Sequence, residues 1–114
     1  MTTKKRTTPK HDASELLDTL RITKIRPRQS CGGSWVIGTI AGHRFEALVF
    51  PEHAESPDFE LGDSRISKLW VRRTDDNVTV VNFDRGWDIL PATPRAKTIV
   101  DLLAGGLAEH VFGK

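Results

Sequence analysis

Apolar and polar positions alternate most regularly in the middle of the chain. Ser34–Ile40 (SWVIGTI) and His43–Phe50 (HRFEALVF) are two β-branched or aromatic runs separated only by Ala41-Gly42. A connection that short and glycine-containing predicts a β-hairpin. Within its second arm the two-residue period sets Phe45, Ala47 and Val49 on one face and Glu46 on the other. Arg65–Arg73 (RISKLWVRR) and Val78–Ile89 (VTVVNFDRGWDI) repeat the pattern around the polar run Thr74-Asp75-Asp76-Asn77, predicting a second hairpin. Pro51–Asp63, with two prolines, a glycine and five acids, reads as an exposed acidic loop between the hairpins.

The period changes to that of a helix near the end. Thr93 is a good N-cap, and Pro94 falls at the first helical position, where its missing N–H costs nothing. Ala96, Ile99, Val100 and Leu103 then share one stripe. Gly105-Gly106 is expected to weaken or end that helix, because glycine is costly in a helix interior. Upstream, Ser14 is placed to cap a short helix over ELLDTL, and RITKIRPRQ alternates isoleucines with basic residues until Pro27 stops any regular element. Residues 1–13 are rich in Thr, Lys and Pro with no apolar period, and are expected to be a disordered basic tail.

These elements predict an α+β domain over residues 14–114. It would be a four-stranded, mainly antiparallel sheet of two hairpins with the C-terminal helix on one face and a short N-terminal helix. Curling of the two hairpins into a small half-barrel is the alternative. The length suits one domain with one modest core.

Charge adds an asymmetry to this picture. Residues 1–30 carry eight Lys/Arg against three Asp/Glu, whereas residues 31–114 carry nine against twelve. A basic arm ahead of a mildly acidic body points toward a polyanion such as DNA or RNA. Lys4, Lys5, Arg6 and Lys10 are the arm's candidates. On the third predicted strand Lys68, Trp70 and Arg72 share a face, with Arg73 adjacent, and an aromatic-plus-basic strand is what single-strand binders use. Trp35, Trp70 and Trp87 with Phe45, Phe50 and Phe83 extend the notion to a stacking platform, against the commoner role of such residues as core.

Chemistry of the catalytic kind is thinly represented. The lone Cys31 allows no intrachain disulfide and fits a reducing cytosol, and no base stands at a telling distance from it. No apolar run has the length of a membrane span or of a signal-peptide core, so a cytoplasmic location without membrane contact is expected. Glu52, His53 and Glu55 in PEHAE are the nearest thing to a metal site, but one acidic loop preorganises poorly. CGGSWVIG lacks the ending of a phosphate-binding loop. The expectation is therefore a non-enzymatic module with no catalytic residues, no metal and no cofactor.

NFDRGWD, residues 82–88, is the most distinctive segment. Gly86 breaks the strand, Trp87 is placed as a lid on the core, and Asp84 and Asp88 bracket Arg85, which is expected to turn inward to one of them. A ligand or partner contact by Arg85 and Trp87 is the other reading. Together with Ser34–Phe50 and the Ser67-x-Leu69 strand, this segment resembles an uncharacterised family of small bacterial domains met on phages and other mobile elements. That resemblance implies a fold unit and a mobile-element origin and carries no catalytic role. Two functions thus stand after the sequence: an accessory module that contacts nucleic acid through the basic arm and the Arg/Trp strand face, and a protein-interaction module that binds a host or phage protein through the acidic loop or a sheet edge.

Overall fold

The computed structural model describes residues 15–29 and 32–113. Its centre is one sheet of six strands in the order β1 to β6, every neighbouring pair antiparallel: β1 Arg21–Pro27, β2 Ser34–Ile40, β3 His43–Val49, β4 Ile66–Arg73, β5 Thr79–Asp84 and β6 Trp87–Ile89. One helix, α1 (Pro94–Phe112), covers one face. The α+β class, the antiparallel sheet and the C-terminal helix are as expected, but the sheet has six strands and not four.

Both additional strands lie where a local irregularity interrupts the period. In β1, Ile22 pairs with Gly38 and Ile25 with Val36, both on the covered face, although three residues apart. A bulge between Ile22 and Lys24 absorbs the extra residue, and a bulge is what shifts side chains off strict alternation. Pro27 is tolerated as the last residue of an edge strand, where no ladder donor is required. At the other end, the single predicted strand over 78–89 is two. Arg85 (φ 52) and Gly86 (φ 147) reverse the chain tightly, with Asp84 N–H donating to Gly86 O, so that Trp87 returns to pair with Phe83.

The covered face carries the core. Val36, Phe45, Ala47, Leu69, Val71 and Phe83 line up across the strands beneath the helix. A second bulge, between Val71 and Arg72, lets Val80 and Val81 both be buried where simple alternation would separate them. The helix begins with the Thr93 hydroxyl accepting from Ala96 N–H and ends at a left-handed Gly113. It runs unbroken through Gly105-Gly106, against expectation. Leu107 and Ala108 continue the buried stripe of Ala96, Ile99, Val100 and Leu103, and burying a leucine is worth roughly 1.5–3 kcal/mol against roughly 1 kcal/mol lost per glycine. No helix is long and apolar enough to cross a membrane among the described residues.

At the chain's start a single helical turn over 15–17 buries Leu16. Residues 1–13, Ser14 and Cys31, where the tail, the N-cap and the thiol were expected, lie outside the described residues. The loop over 50–65 is less open than its acidity suggested. A 3₁₀ turn at Pro57–Phe59, capped by Ser56, leads to a buried Glu60 and Leu61.

Candidate functional site on the open sheet face

Register places three cross-strand rows on the face opposite the helix. The first is Arg26, Trp35, Leu48, Lys68 and Asp84; the second Lys24, Ile37, Glu46, Trp70, Asn82 and Ile89; the third Arg21, Thr39, Arg44, Arg72 and Thr79. Six cations thus meet two carboxylates, with two tryptophans between them. Both tryptophans are half-buried, which leaves ring surface exposed on a firm base.

The sequence-predicted trio of Lys68, Trp70 and Arg72 sits together here. Arg72 lays its guanidinium over the Trp70 ring at 5.1 Å from the centroid, and Lys68 makes a 3.6 Å ion pair with Asp84. Arg44 joins from β3, directly opposite Arg72, and reaches Glu46 at 3.5 Å. Like charges directly opposed on neighbouring strands are unfavourable. In addition the Nε–H groups of both arginines are buried and find no hydrogen-bond partner among the described residues. Such groups cost free energy in the isolated domain. Sequence reasoning named Trp35 only within a wider stacking platform and missed Arg44, which joins the trio only through strand register.

Other candidates are placed elsewhere. Arg73 pairs with His43 on the covered side of β4, and its guanidinium is held in two bonds by Asp76, at 3.1 and 2.8 Å. That contact raises the arginine's pKa and, with the Val78 N–H, holds the Asp76 carboxyl below its ordinary range. Phe45 and Phe83 belong to the core. Trp87 packs edge-on against Phe83 with centroids 5.1 Å apart and stays 41% exposed, a partial lid at the sheet edge. Lys4, Lys5, Arg6 and Lys10 lie outside the described residues.

Arg85 does not turn inward to Asp84 or Asp88. Asp84 pairs with Lys68 instead, and the left-handed turn swings Arg85 to a cavity of about 540 Å³ at one end of the open face. The loop over 50–65 walls that end. It shields Leu48, which is 2% exposed although its row faces away from the helix.

Glu60 fastens the wall. Its carboxylate accepts from Ala54 N–H and from His53 Nδ1, each at 2.7 Å. Burial raises the Glu60 pKa, but these bonds and the Arg65 backbone N–H outweigh it and hold the carboxyl below its ordinary value. Glu52 and Glu55, the acids expected beside His53, are replaced by Glu60 and Asp63, whose ligand atoms lie within 4.8 Å of one another and of His53. His53 Nδ1 is already engaged by Glu60, and Asp63 is fully exposed, so the group is complete as a loop fastening.

Among the described residues, fold and site together define a small α+β domain of one antiparallel sheet and one long helix, with one sheet face open and basic. The chain belongs to the family described as a domain of unknown function (DUF7678), whose family model matches residues 34–108. That span holds Trp35, Arg44, Lys68, Trp70, Arg72 and Arg85. No curated protein and no solved structure matches the chain.

Proposed function

We propose that this protein is a non-enzymatic binding module for single-stranded nucleic acid and that the open sheet face is its contact surface. The observation that carries the reading is the Arg44–Arg72 pair beside Trp70. Two opposed guanidinium groups on partly exposed side chains stand beside a half-exposed indole, and a phosphate next to a stacked base would neutralise their mutual repulsion. Lys24, Arg26 and Lys68 extend the positive field along the rows, and a sheet presenting aromatic rings to splayed bases is a known way of holding single strands. The basic residues Lys4, Lys5, Arg6 and Lys10 would add non-specific attraction. An accessory role in a phage or other mobile element rests on the sequence resemblance over Ser34–Leu90 alone.

The test is a fluorescence-anisotropy titration of labelled single-stranded oligonucleotides at low salt. Binding should weaken with salt at a slope of about −0.7 per neutralised phosphate. Trp70→Ala should cost roughly 1–3 kcal/mol of affinity, the range of one base stack. Absence of binding at low salt sinks the reading, as does binding that Trp70→Ala and Arg72→Ala leave intact.

A second reading has its own observation. Strand β6 is an edge strand whose Trp87 and Ile89, with Leu90 just beyond it, are 41%, 39% and 65% exposed, which suits an added peptide strand from a protein partner. It predicts capture of a specific protein that added oligonucleotide does not displace and that Ile89→Lys abolishes.

A further inference from the structure

The walled end of the open face has the chemistry of a site in its own right. Its cavity, at about 540 Å³, is in the size range of small-ligand pockets, roughly 300–1,000 Å³. Its lining combines the apolar Leu48, Phe50 and Phe59 with the cations Lys68 and Arg85 and the acids Glu52 and Glu60, the latter already engaged by His53 and Ala54. Arg85 is exposed, and its side chain makes no hydrogen bond or ion pair among the described residues. Lys68 has Asp84 at 3.6 Å, a partly exposed pair that a more highly charged anion can displace. The backbone is bent to keep Arg85 there. Its φ of 52 is the left-handed region, which a non-glycine residue occupies at a cost, and its N–H is anchored on Ser67 O at 2.8 Å.

We infer that this cavity binds a terminal phosphate monoester together with its nucleotide, the phosphate on Arg85 and Lys68 and the base against Phe50. The inference rests on the nucleic-acid reading of the open face and deepens it. The 50–65 wall stands over Leu48, between Trp35 and Lys68, so a strand on the open face meets the wall with its end, and that end carries the extra negative charge that distinguishes a monoester from the diesters behind it. The shared ligand chemistry also admits a free mononucleotide.

The experiment compares octanucleotides bearing a 5′-phosphate, a 3′-phosphate or neither, alongside a mononucleotide and inorganic phosphate, on the full chain and on Arg85→Gly and Arg85→Lys. Arg85→Gly removes the cation while relaxing the left-handed backbone, so its melting temperature should be equal to or above that of the parent. One phosphorylated end should bind at least about fivefold more tightly than the unphosphorylated strand, a gain lost in Arg85→Gly and largely kept in Arg85→Lys. Equal binding of all three octanucleotides overturns the inference and leaves the open face intact. A preference that survives Arg85→Gly also overturns it. Mononucleotide or phosphate binding that requires Arg85, without octanucleotide binding, keeps the cavity site and discards the open face; no binding of any probe discards both.

Discussion

Along β4, neighbouring residues belong to different worlds. Leu69 and Val71 are buried beneath α1, while Lys68, Trp70 and Arg72, one step along the same strand, face away from it. The covered face is closed and self-sufficient, with its apolar side chains packed against a helix that continues past two glycines to stay on them. The open face contains features that make little sense for stability: opposed arginines, orphaned donors and indoles propped half out of the surface. One sheet therefore separates two tasks. Burial on one side holds the strands in register, and that register is what assembles charge and aromatic surface on the other.

If that division is right, damage should sort by face. Phe45→Ala removes a fully buried ring from the covered face and should lower stability by roughly 3–5 kcal/mol, read from chemical denaturation. Trp70→Ala, one strand away but on the open face, should cost much less stability and show its effect in oligonucleotide affinity. Similar destabilisation by both would erase the distinction.

The next effect concerns the wall between the open face and its cavity. Glu60→Gln replaces the charged acceptor of the Ala54 and His53 bonds and should cost roughly 1–3 kcal/mol. The pH dependence has a definite sign. Because the folded Glu60 carboxyl is held below its ordinary value of 4.5, its contribution is present above that value and is lost as pH falls below it. Denaturation midpoints from pH 6 to pH 3 should therefore fall more steeply for the parent than for Glu60→Gln. The variant keeps a residual slope from Asp76, whose carboxyl is also held low, by Arg73. Parallel curves would mean that the fastening contributes nothing.

How much of this was legible beforehand follows the same line. The hairpin around Ala41-Gly42, the stripe from Ala96 to Leu103 and the shared face of Lys68, Trp70 and Arg72 all obey one undisturbed period, and periods are readable. The missed elements are those where a bulge or a left-handed residue changes the count. Ile22 and Ile25 share a face across a bulge, and Arg85-Gly86 turns one apparent strand into two. Arg85 was expected to pair with a sequence neighbour, but the turn that makes β6 also takes it away from both aspartates. The cavity was beyond reach for a related reason: Phe50, Lys68 and Arg85 meet only after the 50–65 loop closes on itself through Glu60.

Gly105 and Gly106 offer a gain instead of a loss. A Cβ at either position meets nothing within 4 Å, and both have ordinary helical backbone. Alanine at each should stabilise the domain by roughly 0.5–1 kcal/mol, visible as a higher melting temperature, with oligonucleotide affinity unchanged because α1 lies on the covered side. A change in affinity would show that the two faces are coupled through the helix.

The smallest expected effect cuts deepest into the comparison. Arg72→Met keeps a long side chain that can still cover Trp70, but removes the charge opposed to Arg44 and one of the two orphaned Nε–H groups. Relief of a directly opposed like-charge pair is worth roughly 0.2–1 kcal/mol, so the variant should be slightly more stable than the parent. It should also bind single strands less tightly, with a shallower salt dependence by about 0.7 for the lost phosphate contact. Stability and affinity moving in opposite directions at one residue is what a surface kept for binding requires. If Arg72→Met instead loses stability, the arginine serves to pack Trp70, and the open face is a second structural surface of the sheet.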